Sequence, residues 1–237
     1  MKKFIFGLLL SLFILPAAGF CITNYGIGDQ LYVLAPSGLV LRGKANPQGK
    51  KITTVALGET VTVLQENFRK VPHSVLEFKG YNLRGFWVKV RTTDGQEGYV
   101  FDGYLSRYQA PGHLRLKEGQ DTLMLVVQYM AAHSDFRGPR IQLAKTPNRY
   151  ERYKEVFKNN SEVEVNIGEG GSSFKITFNK GTTVEEAYLI GRLLWLEGKM
   201  ICKIDQGVIT LTSEDEMQQV LVMNKGGRII VTLSIAD

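Results

Sequence analysis

Apolar and polar residues alternate along several short runs in the first half of the chain, which is the pattern of half-buried β-strands. The clearest two runs are Phe86–Arg91 and Gln96–Phe101, and Asp94-Gly95 stands between them. Asp-Gly between two alternating runs is a strong signal for a tight β-hairpin. Leu39–Gly43 and Glu59–Leu64 are rich in apolar and β-branched residues and predict two further strands. Together these strands and turns predict a small β-barrel.

The second half of the chain contains one strong helix signal, at Thr183–Glu186. A Thr followed three residues later by Glu forms a capping box, in which each side chain accepts a hydrogen bond from the other residue's backbone N–H. Gly198 is placed to end the helix. We therefore predict a helix that packs on a sheet. Its apolar positions recur at helical spacing, at Val184, Ala187, Tyr188, Gly191, Leu194 and Trp195.

Six apolar, β-branched runs surround this helix and predict strands. Gly168–Gly171 separates the first two, and Asp205–Gly207 and Asn224–Gly227 are turn-like connections between later ones. Sequential strands joined by short turns predict an antiparallel meander, so we expect an α+β domain. The predicted strands are Val163–Ile167, Phe174–Phe178, Met200–Ile204, Val208–Thr212, Val220–Met223 and Ile229–Ile235.

Two segments that precede these strands carry less regular patterns. Asp121–His133 places apolar residues on one helical face and predicts a second helix. Tyr150–Phe157 is open to two interpretations, because Thr146-Pro147 is a good start for a helix, whereas Lys158–Asn160 is a good turn between two strands. A strand is the preferred interpretation.

The chain divides near Gln109–Gly112, where the barrel motifs have ended and Pro-Gly interrupts any continuing element. We expect a leader over residues 1–19, a β-barrel domain over residues 28–108 and an α+β domain over residues 113–237. The predicted fold class is therefore mostly β. It comprises a small N-terminal β-barrel, followed by an α+β domain with an antiparallel sheet and one or two helices.

Five motifs follow one another along the predicted barrel: Leu39–Arg42, Gly58–Val63, Trp87–Val90, Gly98–Val100 and Tyr104-Leu105. Their order and spacing resemble the bacterial SH3-like (SH3b) domains. That family begins with a Leu-x-Leu-Arg strand and a Gly-led Val-x-Val strand, and it closes with Trp-x-Lys-Val, Gly-Tyr-Val and Tyr-Leu. The resemblance covers residues of about 30–108 and implies an SH3-like barrel with a binding role. The second domain carries no motif of a known family.

Two features depart from the family's pattern. Val40 stands where the family often has Asn or a small residue, and Glu66–Gly85 is a long insertion before the Trp strand. The resemblance therefore implies a fold and a binding role, but it names no ligand. The insertion contains the basic residues Arg69, Lys70, His73, Lys79 and Arg84.

The first 19 residues have the parts of a secretory leader. Lys2-Lys3 precede the apolar run Phe4–Leu15, and Pro16–Gly19 supplies the small residues that a signal peptidase requires. The alternative, an uncleaved membrane anchor, is disfavoured because the apolar run is shorter than the ~20 residues that a spanning helix needs. We expect cleavage after Gly19 and a periplasmic or extracellular location.

The two cysteines, Cys21 and Cys202, add little to this picture. Phe20 precedes Cys21 at the position where a lipoprotein would need Gly, Ala or Ser, so lipidation is disfavoured. A disulfide between the two cysteines is compatible with an oxidising compartment, but a single pair provides no framework that predicts it. The pairing stays open.

The charge pattern disfavours nucleic acid as a partner. The formal net charge is +6, and +4 once Lys2 and Lys3 are removed with the leader. No cluster of Lys or Arg interleaved with aromatic residues occurs, and exported proteins rarely meet nucleic acid, so a nucleic-acid partner is disfavoured. The mild positive charge fits either ordinary solubility or attraction to an anionic cell envelope.

Catalytic and metal-binding patterns are missing from the sequence. In cell-wall peptidases with a Cys–His pair the Cys comes first, at the start of a helix, whereas Cys202 lies in a strand-like run after His73, His113 and His133. Cys202 is therefore expected to be a buried apolar residue. The histidines are isolated, and neither Cys-x-x-Cys nor His-x-x-x-His spacing occurs, so we expect no metal and no cofactor.

Surface recognition is the function that the remaining residues favour. Aromatic side chains dominate many binding patches, although Trp87 and Tyr99 equally suit the core of a small barrel. We expect Trp87 and Tyr104 to form the rims of a groove, with Arg42 and Lys89 available to hold a ligand carboxylate by charge. The predicted ligand-binding residues are Tyr32, Arg42, Trp87, Lys89, Tyr99 and Tyr104.

The sequence thus predicts an exported, non-catalytic binding or adaptor protein of the bacterial cell envelope. Its SH3-like module is expected to recognise peptidoglycan peptide or an envelope protein, with no membrane span once the leader is removed. The alternative is a divergent cell-wall hydrolase, in which the module targets a catalytic second domain that uses Cys202 or a carboxylate. A third interpretation is that the second domain only oligomerises or docks on an envelope partner.

Overall fold

Two antiparallel sheets and a separate hairpin make up most of the structure, a computed structural model. Two α-helices accompany them in the described part of the chain, so the predicted fold class, mostly β with antiparallel sheets and one or two helices, is confirmed. The structure describes residues 25–65, 72–111, 122–133, 140–146, 150–195 and 199–236. The predicted leader and Cys21 lie outside these residues.

The N-terminal sheet has seven strands in the order β3-β2-β8-β7-β4-β1-β9. Side chains alternate along most of these strands; for example, Leu39 and Leu41 are buried while Val40 and Arg42 stay partly exposed. The predicted Asp-Gly turn connects β7 to β8, with Gly95 at a φ of 85° that favours glycine. The strands of this region are β1 (Gln30–Val33), β2 (Leu39–Arg42), β3 (Lys51–Val55), β4 (Thr60–Val63), β5 (His73–Phe78), β6 (Tyr81–Gly85), β7 (Trp87–Thr92), β8 (Glu97–Phe101) and β9 (Leu105–Ser106).

The insertion before the Trp strand folds as a hairpin of its own, formed by β5 and β6. Phe78 pairs with Tyr81 across the turn, and Gly80 has a φ of 94°. Residues 66–71 of the insertion lie outside the described part. The sequence pattern of the insertion predicts no strands, although β5 alternates weakly.

The C-terminal sheet has eight antiparallel strands in the order β10-β11-β12-β13-β17-β16-β15-β14. All six predicted strands are present, and the ambiguous segment Tyr150–Phe157 is a strand, as preferred. The strands are β10 (Ile141–Lys145), β11 (Glu151–Val156), β12 (Glu162–Gly168), β13 (Gly171–Thr177), β14 (Met200–Asp205), β15 (Val208–Ser213), β16 (Gln218–Lys225) and β17 (Arg228–Ala236).

Both predicted helices are present, as α1 (Thr122–His133) and α2 (Val184–Trp195). The capping box forms as predicted: the Glu186 N–H donates to Thr183 Oγ1 at 3.2 Å, and the Thr183 N–H donates to the Glu186 carboxylate. Helix α2 packs closely on the sheet at Gly191, where a Cβ would lie 3.1 Å from Val231 Cγ1. Gly198, the predicted end of this helix, lies outside the described residues. No helix in the described ranges is both long enough and apolar enough to cross a membrane.

One apolar core continues from the N-terminal region into the C-terminal region. Leu83, Phe101 and Tyr108 belong to the same cluster of buried residues as Phe178 and Tyr188. A second core lies inside the N-terminal sheet and is built from residues such as Leu31, Val63, Val90 and Val100. The shared core fixes the hairpin and the end of the N-terminal sheet against α2.

Candidate basic face on the N-terminal sheet

Three of the predicted ligand-binding residues lie side by side on the outer surface of the N-terminal sheet. Tyr99 on β8 pairs with Arg42 on β2 and with Lys89 on β7. Directly paired residues in an antiparallel sheet point to the same side, and all three side chains are partly exposed. The sheet therefore places one aromatic ring between two cations.

Lys51 extends this row by one strand, because it pairs with Arg42 from β3 and is exposed. Trp87 lies two residues before Lys89 on β7, so its side chain is on the same side of the sheet. We call these five residues, Arg42, Lys51, Trp87, Lys89 and Tyr99, the basic face. Sequence reasoning missed Lys51, since β3 carries no turn signal or clear alternation that would have placed it.

Some of the hydrogen-bond donors on the basic face are paired with acceptors within the protein. Arg42 donates one guanidinium N–H to the Gly49 carbonyl oxygen at 2.9 Å. Lys89 Nζ lies 3.0 Å from Glu97 Oε2, and Arg91 lies 2.7 Å from Oε1 of the same carboxylate. These hydrogen bonds, from Arg91 first and then from Lys89, lower the pKa of Glu97. Glu97 is the one carboxylate paired with this set of cations in the described part of the chain.

The insertion hairpin closes one end of the basic face. The His73 ring of β5 lies 5.8 Å from the Trp87 ring and 5.5 Å from the Phe101 ring, measured between centroids. Phe101 is buried, whereas Trp87 remains half-buried. Trp87 therefore forms a wall at the closed end, and the opposite end, near Arg91, is open to solvent.

A comparison with known families identifies the fold of this region. Residues 37–106 match the bacterial SH3 domain family. This part of the chain is a bacterial SH3 domain. The match runs from the turn before β2 to the end of β9 and so includes the hairpin, while the C-terminal region matches no family. No curated protein and no solved structure matches the chain.

Tyr104 of the SH3 domain is hydrogen-bonded to the inserted hairpin. Its hydroxyl donates to Oε1 of Glu77 on the hairpin, and the same carboxylate accepts from Tyr188 and Arg192 of α2. Burial, and then the Glu77 carboxylate, raise the pKa of Tyr104 well above its ordinary value. Tyr104 therefore contributes to the contact between the SH3 domain and α2.

Tyr32 also lies apart from the basic face. It is on β1, opposite Thr60 of β4, and β4 separates β1 from β7. The structure thus places Arg42, Trp87, Lys89 and Tyr99 together, and it leaves the two other predicted residues elsewhere in the N-terminal region.

Cys202 lies on β14, half-buried and packed against the shared core. Burial raises the pKa of its thiol, and the nearby Arg192 only partly offsets this. Its thiol is free. Within the described ranges, no group of three or more His, Cys, Asp or Glu side chains is arranged to hold a metal ion.

Proposed function

We propose that this chain is an exported, non-catalytic binding or adaptor protein of the bacterial cell envelope. Its SH3 domain recognises peptidoglycan peptide or an envelope protein, and it holds a carboxylate of that ligand on the basic face. The observation that carries the proposal is the row of Lys51, Arg42, Tyr99 and Lys89 across four strands. Bacterial SH3 domains typically bind peptidoglycan or proteins, which supports this class of ligand.

The dimensions of the row suit a carboxylate above an aromatic ring. Neighbouring strands lie ~4.8 Å apart, so the backbones of Arg42 and Lys89 are separated by roughly 10 Å with Tyr99 between them. Both cations have side chains long enough to reach a ligand carboxylate held over the ring. A guanidinium binds a carboxylate through two parallel N–H donors, and an ammonium adds a point charge from the other side.

Two further observations support a non-catalytic, exported protein. The thiolate is the nucleophilic form of cysteine, and burial of Cys202 disfavours it by raising the thiol pKa. The N-terminal residues combine two lysines, a short apolar run and small residues at the expected cleavage point, which supports export.

Cosedimentation with purified, insoluble peptidoglycan tests the proposal. We expect the protein to be retained in the pellet, and the double variant Arg42→Ala/Lys89→Ala to remain in the supernatant. The variant Lys180→Ala/Lys225→Ala is the matched control, because it removes the same charge from exposed positions outside the SH3 domain. Retention should also fall with added salt, which screens exposed charges.

Three results would count against the proposal. Absent retention would exclude peptidoglycan as the ligand. Retention that both double variants reduce equally would exclude carboxylate binding on the basic face. Release of soluble muropeptides by the protein, abolished by Cys202→Ser, would instead establish a hydrolase.

A further inference from the structure

The two edges of the eight-stranded sheet are built differently. On β10 the register with β11 breaks between Gln142 and Ala144, and the Gln142 amide donates to the carbonyl oxygens of Ala144 and Arg152. On β14, by contrast, every residue from Met200 to Asp205 pairs in register with β15. Bulges protect sheet edges from pairing with other chains, and β14 has none.

The outer edge of β14 also exposes apolar side chains. Ile201 is 44% exposed and Ile204 is 41% exposed, although both lie in a regular strand. Among the described residues, β15 is the strand that pairs with β14. A regular edge with exposed apolar side chains is a template for another strand, and the charged residues on β14, Lys203 and Asp205, restrict which strand can pair with it.

We propose that β14 pairs antiparallel with β14 of a second copy of this chain, about a two-fold axis at Cys202. In this register Lys199 lies opposite the partner's Asp205, and Met200 lies opposite the partner's Ile204. The symmetry repeats each contact, so the interface contains two pairs of opposite charges, two Met200–Ile204 pairs and two Ile201–Lys203 pairs, with Cys202 opposite the partner's Cys202. The inference does not depend on the proposed ligand of the SH3 domain.

Charge selects this register over its neighbours. A slip of one residue would pair core-facing with solvent-facing side chains, so only shifts of two residues are available. A shift in one direction places Lys203 opposite the partner's Lys203, and a shift in the other places Lys199 opposite the partner's Lys203. Like charges directly opposite each other destabilise a strand pair. The register centred on Cys202 is the one that combines full strand overlap with opposite charges.

Pairing of this kind would join two SH3 domains in one assembly. Two linked binding modules engage a repeating polymer such as peptidoglycan with greater avidity than one module, provided that both reach it at once. The dimer therefore gives the C-terminal domain a role without requiring a catalytic site in it.

Light scattering on the purified protein tests whether the dimer forms and whether the opposite charges at residues 199 and 205 are required for it. We expect twice the chain mass for the wild type and a single chain mass for Asp205→Lys, which places like charges opposite each other at both ends of the interface. The double variant Lys199→Asp/Asp205→Lys restores opposite charges and should restore the dimer. It retains the same replacement at residue 205, so rescue separates loss of pairing from damage to the adjacent turn.

Disulfide trapping tests the register. Directly paired residues have Cα atoms ~4.5–5.5 Å apart, within the ~4.4–6.8 Å range of disulfides. In a Cys21→Ser background, mild oxidation should therefore link Cys202 to the partner's Cys202, and Asp205→Lys should reduce that product. A single chain mass at every concentration tested, or a dimer that Asp205→Lys leaves intact and oxidation fails to link, would overturn the proposal.

Discussion

Arg192 Nη1 on helix α2 lies 2.7 Å from Oε2 of Glu77, a residue of the hairpin inserted in the SH3 domain. The Glu77 side chain is only 5% exposed. The Tyr188 hydroxyl donates to the same oxygen at 3.1 Å, and the Tyr104 hydroxyl donates to the other one. One buried carboxylate therefore connects the hairpin, the end of the SH3 domain and the helix of the C-terminal region.

Replacement of Glu77 by Ala should lower the free energy of unfolding by about 3–5 kcal/mol, because removal of one member of a buried ion pair leaves the other charge without compensation. Glu77→Gln keeps an acceptor for the tyrosines and should cost less. Urea unfolding followed by circular dichroism gives both values. Glu169→Ala, at an exposed position, is the control and should change little. Equal effects at Glu77 and Glu169 would contradict this role.

The hairpin shows how far the sequence can predict this contact. Lys79-Gly80 provides a turn signal, and the weak alternation in β5 is visible in retrospect. Two of the partners of Glu77, however, are Tyr188 and Arg192, which lie more than 100 residues later on α2, where no local pattern points to them. The same limit applies to Glu186, whose capping role was predicted from its spacing to Thr183. Its second role, described below, depends on tertiary packing.

Asp102 is a second buried carboxylate, within the SH3 domain. Its Oδ2 accepts from the Tyr25 hydroxyl at 2.6 Å, and its Oδ1 accepts from the Phe86 backbone N–H at 2.6 Å. Asp102→Ala removes the acceptor of both buried hydrogen bonds and should lower the free energy of unfolding by about 2–4 kcal/mol, whereas Tyr25→Phe removes one of the two bonds and should cost about 1 kcal/mol. Thermal or urea unfolding measures the difference. A Tyr25→Phe effect as large as that of Asp102→Ala would contradict the assignment.

Glu186 should make stability depend on pH. Its fully buried carboxylate accepts from Ser106 Oγ and from the Arg107 N–H, yet burial outweighs these hydrogen bonds and raises its pKa. The folded protein therefore holds a proton that the unfolded chain releases near its ordinary pKa of 4.5. Stability from this group is complete below that pH and falls as pH rises through the folded-state pKa. As pH rises from 4.5 through the folded-state pKa of Glu186, the wild type should therefore lose stability relative to Glu186→Gln.

Glu164 is the control, because its pKa is shifted in the opposite direction from that of Glu186. Burial raises its pKa, but the hydrogen bonds from Lys175 and Arg152 outweigh burial and leave the pKa below 4.5. Its contribution is present above the unfolded-state pKa and is lost as pH falls through the folded-state pKa. The wild type should therefore gain stability relative to Glu164→Gln as pH rises. Urea unfolding over a pH series gives both slopes, and slopes of the same sign would contradict the account.

Only part of the basic face can be predicted from the sequence. Arg42, Lys89 and Tyr99 were chosen by residue type and by the family resemblance, and their alignment in one row follows from a strand register that the sequence does not specify. Tyr104 was expected beside Trp87 because both are aromatic residues of the same motif series. The 3₁₀ turn Asp102–Tyr104 and the inserted hairpin instead bring Tyr104 to Glu77.

The most direct test of the central claim is calorimetric titration of the SH3-containing protein with a soluble muropeptide whose stem peptide ends in a free carboxylate. We predict binding that weakens by roughly tenfold or more when that carboxylate is amidated, because a hydrogen bond to a charged group contributes about 1.5–3 kcal/mol. In Arg42→Ala/Lys89→Ala the two peptides should bind equally and weakly. Equal affinity of the wild type for the acid and the amide, or no binding of either, would contradict the account.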